Sequence, residues 1–415
     1  MTAGSGFSFP GIPRDLFASL VEQVHAQGAG RLALVGGAVR DALLHHRHRD
    51  PLRDPADLDL VLEGDCAHLA RCLQETLGTI RVSDMRVHEQ FGTAELVIDG
   101  VLFDLAAART ETYPAPGQNP IVQAGMLEED LARRDFTVNA MALLLQPNGT
   151  QQLIDPHGGQ AHLAKRQLAF LHDGSVADDP TRVLRGARYG ARLGLHLAPE
   201  ALSQVRGTLE LWPWAWHHGD PVQAVPPALG TRLRMELDLL LNREPWPEAL
   251  ALLQSWSAMP LLDPSLQTDG TLTRRLRWAA RLDLPAMAAL VAAAGAPLTL
   301  AQRLQIPRQQ ERWLEELIEF RRWLQLDVST KSWADWGPLE WTLGLEDGNW
   351  SAAVVALAVL DNPPCRRPLL RWWGRWRHVV SPVSSRELIA AGLHPGPQLG
   401  EALRKARNQR LAEMR

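Results

Sequence analysis

Up to about residue 170, short apolar runs alternate with stretches of helical spacing. Arg31–Gly36, Leu58–Leu62, Glu95–Ile98 and Val101–Leu105 are apolar or β-branched and of strand length, and predict strands. Val39–His46 and Cys66–Leu77 predict helices. After about residue 174 strand signals nearly vanish. Leu, Ala, Arg and Trp then recur at helical intervals, broken by Pro213, Pro226, Pro227, Pro245 and Pro247. Trp212–Pro227 predicts a loop. Leu284–Leu300, the richest apolar stretch, predicts a buried helix. The expected fold class is α+β: a mixed sheet with helices, followed by an all-α remainder. The expected domains are a head over 1–172, a helical neck over 173–260, and a helical body and tail over 261–415.

Composition narrows this little. The chain has 415 residues, of which 46% are hydrophobic, enough for two or three cored domains. A net charge of -4 does not announce a nucleic-acid binder, so any RNA surface must be a local patch. Cys66, Cys72 and Cys365 have no zinc spacing and suit a reducing, cytoplasmic setting. The first residues have no secretory pattern, and no apolar run is long enough to span a membrane. No fixed-period repeat is present.

Four segments carry candidate chemistry. In Leu34-Val35-Gly36-Gly37-Ala38-Val39-Arg40-Asp41 a strand ends on a glycine pair and a helix opens. Glycine lets backbone approach a ligand closely, and a helix start offers free N–H groups to phosphate. By itself such a turn is commonly just a tight turn. In Asp57-Leu58-Asp59-Leu60-Val61 strand alternation turns both carboxylates to one side. Paired like charges are costly unless a cation sits between them, and Mg²⁺ takes such hard oxygen ligands. A bare D-x-D is more often a solvated strand face. Glu128–Ala140 is charge-rich and contains Arg134, Asp135 and Asn139. Asp178–Tyr189 opens with helix-capping chemistry and repeats Asp179, Arg182, Arg185 and Arg188 on one helical face.

Together, a Gly-Gly strand–helix turn followed by D-x-D is the signature of polymerase-beta-like nucleotidyltransferases. GGAVRD with DLDLV resembles the class II tRNA nucleotidyltransferases, which include bacterial CCA-adding enzymes and poly(A) polymerases. Leu131–Ala140 resembles that family's RRDFTxNA signature, and Asp178–Arg185 its EDPxRxLR element with Asp178 in place of Glu. The resemblance implies that Asp57 and Asp59 hold two Mg²⁺, and that Gly36, Gly37 and Arg40 hold the triphosphate. It further implies that Arg134, Asp135 and Asn139 contact sugar and phosphates, Asp135 reading the ribose. Asp179 and Arg182 would select the base of CTP or ATP, with Arg185 and Arg188 beside them. Asp104 is either a third active-site carboxylate or a structural acid. Arg109–Pro120 holds three prolines and is expected to be a mobile loop. The family uses a loop there to switch from C to A addition, and CC-only enzymes tend to lack it.

The helical half adds two basic stretches. Arg366–His378 has five arginines, three tryptophans and no acid, and Ala402–Arg415 is also basic. They are candidate RNA contacts, against the reading that the tryptophans are core and the arginines a solvated face. Gly392–Gly400 resembles the GxxPGPxLG element near the C-terminus of longer family members. His172-Asp173 is a lone HD pair, so no phosphohydrolase domain is expected. The expected activity is template-independent addition of CMP, CMP and AMP to tRNA, contacting its 3′ end and acceptor arm and releasing pyrophosphate. The alternatives are an A-adding enzyme beside a separate CC-adding one, a poly(A) polymerase, and an inactive RNA-binding relative.

Overall fold

In the computed structural model, residues 14–26, 28, 30–51, 58–147, 150–210, 227–328 and 333–414 are described. The chain divides into two compact units, Met1–Trp212 with Ala251–Ala258, and Pro213–Leu250 with Met259–Arg415.

The first unit opens with α1 (Arg14–Ala26), β1 (Leu32–Val35), α2 (Gly37–His48), β2 (Leu58–Leu62) and α3 (Cys66–Arg81). Then come β3 (Val82–His88), β4 (Thr93–Ile98), β5 (Val101–Ala107) and the hairpin β6 (Arg109–Thr112) with β7 (Ile121–Ala124). Next are α4 (Leu127–Ala132), β8 (Ala142–Leu145), β9 (Gln151–Ile154) and α5 (Gly159–Ala164). All strands so far but the hairpin join one sheet, ordered β3-β4-β5-β2-β1-β8-β9, in which β2 and β5 are the parallel neighbours. The short pair β10 (Gln167–Leu168) and β11 (His196–Leu197) brackets α6 (Ser175–Asp178) and α7 (Thr181–Leu193), and α8 (Pro199–Glu210) follows.

Every residue of β1 is buried, as a central strand covered on both faces requires. One face carries Ala33, Val35 and Val61 against Leu127 and Leu131 of α4. The opposite side of β2 is Leu58, Leu60 and Leu62, all buried. α3 starts on Asp65, whose side chain accepts from His68 N at 3.0 Å, and breaks at Gly78, with φ 76°. That break is where the predicted Cys66–Leu77 helix stops.

The prolines of Arg109–Pro120 do not free the whole segment. Arg109–Thr112 pairs with Ile121–Ala124, because Thr110 and Thr112 favour strand and the prolines lie beyond them. The connection is thus Tyr113–Pro120. The expected loop at Trp212–Pro227 lies outside the described residues up to Pro227, where α9 begins.

The remainder is helical: α9 (Pro227–Arg243), α10 (Trp246–Ser255), α11 (Leu272–Arg281), α12 (Ala286–Ala292), α13 (Pro297–Leu304) and α14 (Arg308–Trp323). α15 (Pro338–Asp347), α16 (Ala352–Leu360), α17 (Arg366–Gly374), α18 (Ser385–Ala390) and α19 (Pro397–Ala412) complete it. Leu284–Leu300 is therefore not one helix. Gly295 N donates to Ser265 Oγ at 2.7 Å and Ala296 N to Asp263 Oδ2 at 3.1 Å, so a distant loop captures the backbone that would have continued α12. Trp372 and Trp376 of the basic stretch are buried, as core tryptophans are. Among the described residues no single helix is long and apolar enough to cross a membrane.

Candidate active site

Asp59 owes its position to strand alternation. It shares a face with Val61, at the end of β2 nearest the β1–α2 turn, while its neighbours Leu58 and Leu60 are buried. In register it stands beside Asp104 of β5, which stands beside Glu95 of β4. These three acids form one row across the sheet. Asp57 lies outside the described residues.

Gly36 has φ 70° and ψ −136°, a conformation open to glycine. A Cβ built there would lie 3.1 Å from Asp59 Oδ2 and 3.3 Å from Arg134 Nη1. Three elements far apart in sequence thus converge on one missing side chain. Gly37 opens α2, and its absent Cβ would face Arg40 Nη2 at 3.4 Å.

Arg40 is buried and already engaged. Its Nε and Nη2 donate to Asp41 at 2.7 and 3.1 Å, and Nη1 donates to Asn139 Oδ1 at 2.8 Å. Asn139 in turn donates to Asp135 Oδ1 at 2.9 Å. The same oxygen accepts from Phe136 N at 2.8 Å, and Oδ2 accepts from Arg185 Nε at 2.7 Å. Burial alone would raise the Asp135 carboxyl pKa. The Arg185 charge and the bonds from Asn139, Arg185 and Phe136 N outweigh it and hold the carboxyl below its ordinary value. Arg185 Nη2 reaches Tyr189 Oη at 3.0 Å, and the Arg40 guanidinium lies 5.2 Å from that ring. Burial, then the Asp135 charge, push the Tyr189 phenol up. Arg188 is half-buried on the same helix, its charge acting on Tyr189 in the opposite sense.

Asp130 is the residue the sequence did not single out. It is fully buried at 0% side-chain exposure and holds two arginines at once. Arg133 Nε and Nη2 donate to Oδ1 at 2.9 and 2.6 Å. Arg134 Nε and Nη2 donate to Oδ2 at 3.2 and 2.9 Å. An acid three and four residues before two arginines, at the end of a helix and just past it, is the available signal. Glu63 sets the start of that helix, accepting from Leu127 N at 2.7 Å and from Arg31 Nη2 at 2.6 Å. Glu111 of the hairpin accepts from Arg133 Nη1 at 2.9 Å and from Tyr113 Oη at 3.2 Å. Burial and the Glu111 charge push the Tyr113 phenol up to about 12.

α7 is docked on the same segment. Thr181 N and Oγ1 donate to Asp179 Oδ1 at 3.2 and 2.7 Å, closing the helix start. Gly186 brings the helix against Phe136; a Cβ would meet Phe136 Cζ at 3.0 Å. Arg182 is not on a solvated stripe but only 4% exposed. Its Nη2 donates to Arg133 O at 2.9 Å, and Nη1 is buried with no protein partner. Gly117 N, in the hairpin connection, donates to Ala177 O and Asp178 O at 3.0 and 3.2 Å, so this loop is tied to the residues that lead into α7.

Residues 32–169, which span the turn, Asp59 and the Asp135 network, match the poly A polymerase head domain. A CC-adding tRNA nucleotidyltransferase of Deinococcus radiodurans is 34% identical over 90% of this chain and 82% of its own length. An A-adding tRNA nucleotidyltransferase of Aquifex aeolicus is 33% identical over 59% of this chain, a match that spans 27% of that protein. A solved CCA-adding enzyme, in an apo form, shares the fold at TM-score 0.73 over 98% of this chain and 93% of that one, at 22% identity. With a relative this similar over most of both chains, the protein belongs to the tRNA nucleotidyltransferase family.

Proposed function

We propose that the chain extends tRNA 3′ ends by CMP, CMP and AMP, releasing pyrophosphate and using no template. The observation that carries this reading is the convergence of Gly36, Asp59 and Arg134, where a Cβ would fill the space beside an Asp59 oxygen. A carboxylate oxygen is the kind of hard ligand that Mg²⁺ takes. Asp59, with Asp57 two residues before it, would hold the two ions, which when bound supply activation of the RNA 3′-hydroxyl and charge stabilisation of the leaving pyrophosphate.

The N–H groups at the α2 start, with Gly36 and Gly37 free of side chains, receive the triphosphate. Arg40 supports rather than reaches: tied to Asp41 and Asn139, it orients the amide that orients Asp135. Asp135 accepts from the ribose hydroxyls with its remaining lone pairs. Arg182 offers the base a buried N–H that has no protein partner, and Asp179 stands at the head of the same helix. Leaving a buried donor unpaired costs about 1–3 kcal/mol, a cost that a base acceptor would remove. Arg185 holds the Asp135–Tyr189 wall, with Arg188 beside it on α7. The functional division proposed is a head to residue 172, a neck to 260 and a body and tail beyond, a finer division than the two compact units, and the reaction is placed in the cytoplasm, where three free cysteines stay reduced.

A second reading, addition of CC alone, is favoured by the coverage of the D. radiodurans relative. The tied loop at Tyr113–Pro120 favours full CCA addition. Three tRNAs decide: one ending at the discriminator base, one with C, one with CC, each given labelled CTP or ATP. CTP incorporation on the first two and ATP on the third supports CCA addition. Failure of ATP on the CC end replaces it by the second reading. ATP on the CC end alone would make the chain an A-adding enzyme.

A further inference from the structure

In the second unit, α11 buries Leu272, Leu276 and Ala279 and turns Arg274, Arg277 and Arg281 to solvent. Trp278 lies half-exposed among them. From α17, the Arg366 guanidinium lies 4.1 Å from the Trp278 ring centroid, and that of Arg281 lies 5.0 Å away. Arg366 is further fixed by Nε donating to Val359 O at 3.2 Å, and Arg367 stands exposed beside it.

The acids facing this group are committed elsewhere or lie at its edge. Asp361 receives Arg275 and, at 2.7 Å, Arg321 Nε. Asp269 closes the α11 start through Thr271 N at 2.8 Å and faces Arg275 at 3.6 Å. Asp283 follows the helix in a left-handed turn, with φ 53°. Among the described residues, Arg274, Arg277, Arg281, Arg366 and Arg367 form no ion pair, whereas Arg31, Arg81, Arg133, Arg166 and Arg407 each do. Partial burial and the Arg274 charge both push the Arg366 guanidinium pKa down, as expected of like charges held together.

We propose that this α11–α17 face is a phosphate-backbone site for RNA, in which Arg274, Arg277, Arg281 and Arg366 neutralise phosphates and Trp278 pre-orders two of the guanidiniums. Arg274 to Arg281 covers about 10 Å of helix, a stripe rather than a point. Stacked arginines have already lost part of their rotamer freedom, so they give up less on binding and present their fork of donors to phosphate. A protein partner would want apolar anchors, and none of the exposed large hydrophobic side chains lies on α11 or α17. The occupant as tRNA rests on the function proposed above; the site as an RNA site does not.

The test uses the full chain and the variant Arg274→Gln/Arg277→Gln/Arg281→Gln, with Arg277→Glu as a single-site check and thermal melting to confirm folding. Binding to tRNA and to an unrelated RNA duplex is measured from low to moderate salt. The triple variant is expected to bind both RNAs roughly tenfold or more weakly at ~0.1 M salt, with the slope of log Kd against log salt shallower by roughly 2–3. Its kcat at saturating tRNA stays unchanged while KM for tRNA rises. Unchanged affinity and slope in both variants would overturn the proposal, whatever the wild type adds to tRNA. Arginine-dependent RNA binding by a protein that adds no nucleotide would keep the site and refute the functional reading.

Discussion

Replacing Asp130 by asparagine removes the one carboxylate that holds Arg133 and Arg134 together. Four hydrogen bonds of 2.6–3.2 Å end on its two oxygens, and its side chain has no solvent exposure. Removing one member of a buried ion pair costs about 3–5 kcal/mol, because the remaining charge is left uncompensated. The two arginines are 18% and 17% exposed and recover some hydration, so about 2–4 kcal/mol is expected here. For a unit of this size that lowers Tm by about 5–15 °C. A chemical effect of similar size is expected on top of the stability effect. Arg134 Nη1 borders the space at Gly36 and Asp59, and an ångström of misplacement at such a site costs about 10²-fold in rate. Glu128→Gln is the control: Glu128 is 50% exposed in its pair with Arg31, so its loss is expected to cost under about 1 kcal/mol. Thermal unfolding and single-turnover CTP incorporation, both run on the two variants, read the difference. Asp130→Asn melting and reacting like Glu128→Gln would refute the clamp.

Three further changes probe the frame around the site. Gly36→Ala places a Cβ against Asp59 and Arg134 at positive φ, and is expected to cost about 1–3 kcal/mol in backbone strain and to cut incorporation far more than Tm; near-normal turnover by this variant would count against the convergence. Gly159→Ala drives a Cβ to 2.3 Å from Thr137 O, so calorimetry is expected to show a loss of about 1–3 kcal/mol, and an unchanged Tm would contradict the packing of α5 on the Thr137 turn. Asp135 has a depressed folded pKa, so its contribution is full above the ordinary carboxyl value of about 3.9 and is lost as pH falls through the folded value. The stability gap between wild type and Asp135→Asn is therefore expected to narrow below about pH 4, and a gap constant from neutral pH down to pH 3 would show that no depressed carboxyl is present.

What could be foreseen follows the range of the forces involved. β2 runs over Leu58–Leu62 as expected, because its alternation and its burial on both sides are written locally. Glycine at Gly36 was expected for close approach, and the approach is to Asp59 and Arg134. Arg40 was expected at phosphate, yet its guanidinium ends on Asp41 and on Asn139, ninety-nine residues away. Such a partner has no local trace. The break between α12 and α13 has the same origin, since Asp263 and Ser265 capture its backbone from another segment. The hairpin at Arg109–Ala124 was masked by its prolines, which punctuate the turn and leave the threonine-bearing strand intact. The burial of Arg182 was hidden because charge periodicity on a helix is the same whether the stripe faces water or a carbonyl.

The central claim is that Asp59 serves nucleotidyl transfer to tRNA. The direct measurement is single-turnover CTP incorporation into tRNA lacking its CCA end, in magnesium, by wild type and Asp59→Asn, with tRNA affinity and Tm recorded in parallel. The expected result is a fall of roughly 10³-fold or more in rate with tRNA binding and folding retained. Incorporation by Asp59→Asn within about tenfold of wild type, a difference of only about 1.4 kcal/mol in barrier, would contradict it.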